Sequence, residues 1–362
     1  MALAPDPLDV GTLADLRGCL AGAHSLLLDV DDSDPRRWEI FSVWLAPDGG
    51  GATGRGRLSG ARLRQVADGT SGSYAWTQQQ WGELGAALLP PALLDYLDRP
   101  ETPAVIDLVV VAVGALASIP IAALPLRSGH LLVDRARLCQ TPSLRFLQAL
   151  VDRERPPHQR TAAAYLDPDL ESTSIEGAAL SALGDPGPDN RRIDVERLRS
   201  YGDVCRVLAA ENGLLFLTLS AHGNGREGLA HAIEVDGQDF TAAAALRLNF
   251  PSLVIAAACW SAKVRSTPGT EPWGLPTVML SRGSRWFVGG QVAVEDTGTA
   301  EILAAFYAAT AAGRPPSEAL RDAQLDYLAR HGREVPPRRW AALALIGVPG
   351  IVDPVSEDLG PG

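Results

Sequence analysis

LLFLTLSAHG at residues 214–223 and LVIAAACWS at residues 253–261 are apolar segments of strand length, and each ends in a side chain capable of chemistry. Unbroken apolar runs suit strands buried on both faces, the habit of parallel sheets covered by helices. Outward from these two segments, the second half of the chain alternates strand-like and helix-like stretches. Strands are predicted at 162–166 and 286–289, and helices at 176–183, 195–210, 273–280, 299–312 and 318–330, the last two closed by Gly313 and Gly332. Asp236-Gly237 reads as a turn, followed by a helix capped by Thr241 that runs through Leu248. This alternation predicts an α/β fold with a mostly parallel central sheet. Right-handed crossovers place the carboxyl ends of its strands on one edge, where sites in such sheets lie.

The first half is less regular. Strands are predicted at 24–30 and 38–45, the latter with Trp38, Ile40, Val43 and Leu45 alternating across one change of phase. Residues 49–60 are dense in glycine and read as a surface loop; without a GK[ST] ending they are not a phosphate-binding loop. A helical stretch at 78–97 is split by Pro90 and Pro91, and the β-branched run at 106–113 ends at Gly114 as a buried strand. RERPPHQR at 153–160 is charged and proline-rich, which places a boundary there. Residues 1–155 then form an N-terminal, sheet-bearing extension that braces the core, and residues 160–352 form the principal domain.

Composition narrows the function. The 362 residues carry a formal charge of −11, with 46% hydrophobic and 21% charged side chains, so the chain packs as a globular protein and lacks the basic surface that nucleic acid requires. No apolar run reaches the roughly 20 residues of a membrane-spanning helix. Asp6 and Asp9 stand where a secretory signal would be basic and then apolar, and four widely spaced cysteines suggest neither a disulfide framework nor a metal site. A cytoplasmic location and no cofactor are expected. Abundant arginine and alanine beside a single lysine, Lys263, fit a GC-rich bacterial coding bias.

His222 and Cys259 follow the two apolar strands, so neighbouring strands would bring an imidazole and a thiol together at one sheet edge. Such a pair suits acyl transfer: the thiolate attacks, and the imidazole serves as base and then protonates the leaving amine. Gly223 allows close backbone approach, so its N–H and that of Cys259 are candidate oxyanion donors. Read residue by residue, a buried packing cysteine and a hydrogen-bonded His-Gly turn remain open alternatives. His231 reads as an exposed loop residue. No GxSxG elbow supports Ser220 or Ser261 as nucleophiles, and Arg191-Arg192 and Arg338-Arg339 read as solvated surface.

Several blocks, in order, resemble the CHAT domain family of caspase-like peptidases, related to caspases and separases: LVVVAVGALASIPIAALP, FLTLSAHG, PSLVIAAACWSA, WGLPTVMLSRGSRWFVGGQVAVED, LAAFYAATAAGRPPSEALRDAQLDYL and WAALALIGVPG. The resemblance implies a caspase-like three-layer α/β/α sandwich at 160–352. It also implies an intracellular cysteine endopeptidase with His222 as general acid/base and Cys259 as nucleophile, and a specificity pocket at Gln291, Val292, Glu295 and Asp296. A carboxylate there would suit a basic P1 residue, although Asp296 also fits the N-terminal anion of the next helix. The implied partners are a protein substrate, such as a pore-forming or signalling protein in bacterial signalling or antiviral defence, and an activating protein. Ala258 and Trp260-Ser261-Ala262 replace the serine and the Thr-Gly usual around the cysteine, and Gln291 replaces an aromatic residue. No repeat of the tetratricopeptide kind is present. The rival readings are a catalytically inactive scaffold of the same fold and a thioesterase-like acyl-transfer enzyme.

Overall fold

A computed structural model describes residues 18–350 except 21, 35, 68–75, 100–101, 103–104, 154–159, 186–191, 211–212 and 265–272. Most of the expected boundary at 153–160, together with Arg191, Asp6 and Asp9, lies outside the described residues.

Thirteen strands are described: β1 His24–Asp31, β2 Arg37–Leu45, β3 Gly51–Ser59, β4 Ile106–Ala112, β5 Ala136–Gln140, β6 Thr161–Leu166, β7 Asp194–Leu198, β8 Phe216–Ser220, β9 Ala232–Val235, β10 Gln238–Thr241, β11 Leu253–Ala257, β12 Trp286–Gly290 and β13 Leu343–Gly347. Eleven form one sheet in the order β3-β2-β1-β4-β5-β13-β12-β11-β8-β6-β7, and β9 and β10 form a separate hairpin. The sheet is mostly parallel. Its antiparallel pairs are β1–β2, β2–β3 and β12–β13. The last strand, β13, lies between β5 and β12, so both ends of the described chain contribute to one core. Every residue of β8, β11, β12 and β13 is buried, as expected of largely apolar strands covered on both faces.

The strand register positions the site. β8 and β11 are parallel neighbours with Ser220 opposite Ala257, so His222 and Cys259 stand at matching positions beyond the two strand ends. The Asp236-Gly237 turn joins β9 to β10, both residues having positive φ (53° and 69°), as the tightest hairpin turns demand.

Several segments differ from expectation. Residues 51–59 are not a loop but the edge strand β3. Its glycines make it look irregular, yet they admit a helix: a Cβ on Gly56 would lie 2.2 Å from the Ala87 carbonyl oxygen, and one on Gly54 would lie 3.1 Å from Pro90 Cα. The helix Gly60–Ala67 follows directly. Residues 195–210 divide into β7 and the helix Tyr201–Ala209, because Ser200 caps the helix by accepting from Asp203 N–H and β6 offers β7 a parallel partner. Along β2 the buried face is Trp38, Ile40, Ser42 and Trp44, without a change of phase. The Thr241 cap is present, but its helix is the single turn Ala242–Ala245. Among the described residues no helix is long and apolar enough to cross a membrane.

Candidate active site

The ends of β8 and β11 are stitched together. Ala221 N–H donates to the Ala257 carbonyl at 3.3 Å, and the segment after His222 pairs with β9 through Glu234 N–H to the His222 carbonyl (2.7 Å) and Asn224 N–H to the Ala232 carbonyl (3.2 Å). These two bonds flank Gly223 and leave its own N–H facing away from the hairpin. A Cβ on Gly223 would lie 1.8 Å from the Cys259 carbonyl oxygen, so only glycine lets the two backbones come this close. Among the described residues neither the Gly223 N–H nor the Cys259 N–H donates to another residue's acceptor.

Downstream of Cys259 the chain turns sharply through Trp260, whose φ is 57°. Trp260 N–H donates to the Val292 carbonyl at 3.1 Å, and the Cys259 thiol reaches the Val294 carbonyl at 3.9 Å. Ser261 is fully buried and joins two strand ends, donating to the Ala256 carbonyl at 2.6 Å and accepting from Gly290 N–H at 2.9 Å. It is a structural clasp. The Trp260 ring packs on the Gly225 backbone and is not among the residues lining the cavity at Cys259.

His222, Cys259, Ala221, Ala258, Val294, Asp296 and Glu176 line one small cavity, about 20 Å³, enough for a single water. The structure thus brings together His222, Gly223, Cys259 and Asp296. Burial pushes the Cys259 thiol up, and the Asp296 charge adds to it, so the resting sulfur is a thiol. The Asp296 carboxyl is itself raised by burial, with His222 pulling it down and Glu295 and Glu171 pushing it further up. Asp296 is also the first residue of the helix Asp296–Ala311, the N-terminal anion position expected of it.

The other three expected pocket residues stand elsewhere. Gln291 is 1% exposed, its amide donating to the Ala117 carbonyl at 2.6 Å and to Gln140 Oε1 at 3.0 Å, and it does not line the cavity. Val292 is buried and serves Trp260 through its carbonyl. Glu295 caps the helix, accepting from Gly298 N–H at 2.6 Å.

Two groups were not anticipated. His231, expected to be exposed, is buried behind Trp260 and hydrogen-bonded through both ring nitrogens. Glu176 lies beneath the strand ends, accepting from Ser220 Oγ (2.6 Å) and Tyr307 OH (2.8 Å), and burial raises its pKa against the pull of those donors. Its helical spacing gave no sign of this role; the polar Thr218 and Ser220 inside an apolar strand were the available signal. Among the described residues no group of three or more His, Cys, Asp or Glu side chains is arranged to hold a metal.

No curated protein matches the chain in sequence. In fold it is similar to the separase–securin complex of Saccharomyces cerevisiae in two crystal structures, one with a TM-score of 0.60 at 11% identity and one with 0.56 at 12%. Each match covers 93% of this chain and 31% of the other, so the chain spans about a third of that protein's length. The Arg-specific cysteine proteinase gingipain R aligns with a TM-score of 0.49 at 9% identity, over 80% of this chain and 74% of that one. The α/β fold with its mostly parallel sheet is caspase-like, and because the CHAT domain matches residues 78–348, the chain belongs to the CHAT domain family.

Proposed function

We propose that this chain is a cysteine-type endopeptidase that cleaves a protein substrate. The observation that carries the reading is the β8–β11 register, which sets His222 and Cys259 at one level over one cavity. His222 withdraws the Cys259 proton, the sulfur attacks the peptide carbonyl carbon, and the carbonyl oxygen takes up negative charge facing the N–H groups of Gly223 and Cys259. As the C–N bond breaks, the imidazolium gives its proton to the leaving amine. Water, deprotonated by His222, then hydrolyses the thioester and restores the thiol. Asp296, with Glu295 and Glu171 close enough to raise its pKa, makes the rim acidic and favours a basic residue at P1. The bacterial setting, the cytoplasmic location and a role in signalling or antiviral defence belong to this proposal as well.

The cavity at His222 and Cys259 is narrow, about 20 Å³ where the centre of a water molecule fits, and we propose that it widens when a substrate binds. We assign that opening to an activating protein partner. The same narrowness favours a second reading, an inactive scaffold. An electrophilic peptide probe with a basic P1 residue separates the two: labelling of the wild type, with or without added partner extracts, and none of Cys259→Ala supports the peptidase. Absence of labelling under every condition supports the scaffold.

A further inference from the structure

His231 sits at the entry to β9, 1% exposed, between the nucleophile turn and the helix Leu275–Ser281. Leu275 N–H, the first of that helix, donates to Nδ1 at 3.2 Å. Nδ1 is therefore unprotonated, and Nε2–H donates to the Trp260 carbonyl at 3.0 Å. The same carbonyl accepts from Lys263 N–H at 2.8 Å. Gly274 allows the approach, since a Cβ there would lie 3.1 Å from Nδ1. Burial, reinforced by the Lys263 charge, lowers the His231 pKa to about 4, so the ring is neutral near pH 7 and keeps one donor and one acceptor. The Trp260 backbone it grips is left-handed, a conformation an L-residue keeps only where its surroundings hold it.

We propose that His231 is a positioning residue: with one nitrogen on the helix and the other on the Trp260 carbonyl, it holds the left-handed turn that delivers the Cys259 thiol to the cavity shared with His222. Its catalytic consequence rests on the peptidase reading. The clamp itself is a statement about the turn, and the two are separable by experiment.

His231→Gln keeps an N–H donor at the place of Nε2, whereas His231→Asn keeps only an acceptor at the place of Nδ1. Two measurements on the full chain compare them: hydrogen–deuterium exchange of the peptide covering residues 259–264, and the labelling rate of Cys259 by a peptidyl acyloxymethyl ketone. In the Asn variant, exchange at the Trp260 and Lys263 amides is expected to rise about tenfold. Labelling is expected to fall on the order of 10²-fold, the cost of a misplaced reacting group. The Gln variant, which keeps the bond to the Trp260 carbonyl and loses the one to the helix, is expected to fall between wild type and Asn in both. An Asn variant that exchanges like wild type, or a Gln variant as impaired as Asn, overturns the clamp. If the wild type is never labelled, the peptidase reading fails and the exchange data alone decide the clamp. Because either variant could misfold, imidazole ¹⁵N spectra of the wild type give an independent measurement: a protonated Nε2 with bare Nδ1 supports the proposal, and the opposite tautomer overturns it.

Discussion

Two cavities in this molecule make an instructive pair. The wider, about 780 Å³, opens between the helix Gln78–Leu88 and the 333–340 segment and is walled by Trp76, Trp81, Leu94, Pro336 and Trp340. The narrower, about 20 Å³, is the one at His222 and Cys259. By size and apolar lining the wider one is the obvious place for a ligand. Its lining nevertheless holds neither a histidine nor a cysteine, and its arginines are engaged, Arg333 with both oxygens of Asp134 and Arg127 with Asp95. The narrower cavity has little room but sits where two parallel strands end in register. Space records where packing was left incomplete; reactive groups converge where the topology gathers strand ends.

The largest effect that would break this contrast is expected at Gly223. Its missing Cβ would lie 1.8 Å from the Cys259 carbonyl oxygen, so Gly223→Ala forces the two strand ends apart. A displacement of about 1 Å at a reacting centre costs on the order of 10² in rate. Labelling of Cys259 by the electrophilic peptide should fall by about that factor. A Gly223→Ala protein that labels like wild type would mean that the close approach of the two backbones has nothing to do with reactivity.

Beneath the narrow cavity, Glu176 gives a prediction about stability. Its pKa is raised above 4.5 in the folded chain by burial, so the native state holds this proton more tightly than the unfolded state does. Stability contributed by the neutral carboxyl is complete below about pH 4.5 and is lost as pH rises toward the folded pKa. Glu176→Gln has no such proton to lose. Urea unfolding over a pH series should show wild type declining relative to the Glu176→Gln variant above pH 4.5; parallel curves would mean that the carboxyl has the same pKa in the folded and unfolded chain.

Much of this arrangement was legible in the sequence because both motif strands are largely apolar and end abruptly in chemistry, so that β pairing alone sets His222 opposite Cys259. The glycine of the His-Gly pair was equally readable, since close approach is what glycine permits. What escaped was set by tertiary contact. Gln291 follows an apolar strand just as Cys259 does, yet Ala117 and Gln140, distant in sequence, supply the acceptors for its amide, and it does not line the cavity. His231 looked exposed because it falls between motifs; the Asp236-Gly237 turn signalled a hairpin, and folding that hairpin back brings His231 against Trp260. β3 was hidden by glycines whose purpose appears only with the helix lying on them.

A smaller effect is expected at Asp296. Its charge is one of the causes that raise the Cys259 pKa, after burial. Asp296→Asn removes that charge, lowers the thiol pKa and raises the thiolate fraction near neutral pH. Iodoacetamide alkylation of Cys259, followed by mass spectrometry to separate it from the other cysteines, should quicken severalfold, by about a factor of three or more. Cleavage or labelling by a basic-P1 peptide should fall in the same variant, because the acidic rim is lost. An unchanged alkylation rate would place Asp296 outside the thiol's electrostatic reach.

The smallest effect tests the wider cavity from its own wall. Gly82 lies inside the helix Gln78–Leu88 and lines that cavity, and a Cβ built on it meets no atom within 4 Å. Alanine at this position loses less backbone entropy on folding and strains nothing, which stabilises a helix interior by about 0.5–1 kcal/mol. Gly82→Ala should therefore raise the melting temperature by a few degrees, on the order of 1–4 °C for a chain of this size. It should leave the labelling rate of Cys259 unaltered. A loss of labelling in this stabilised variant would show that the two cavities communicate, and the contrast between them would then describe one coupled system.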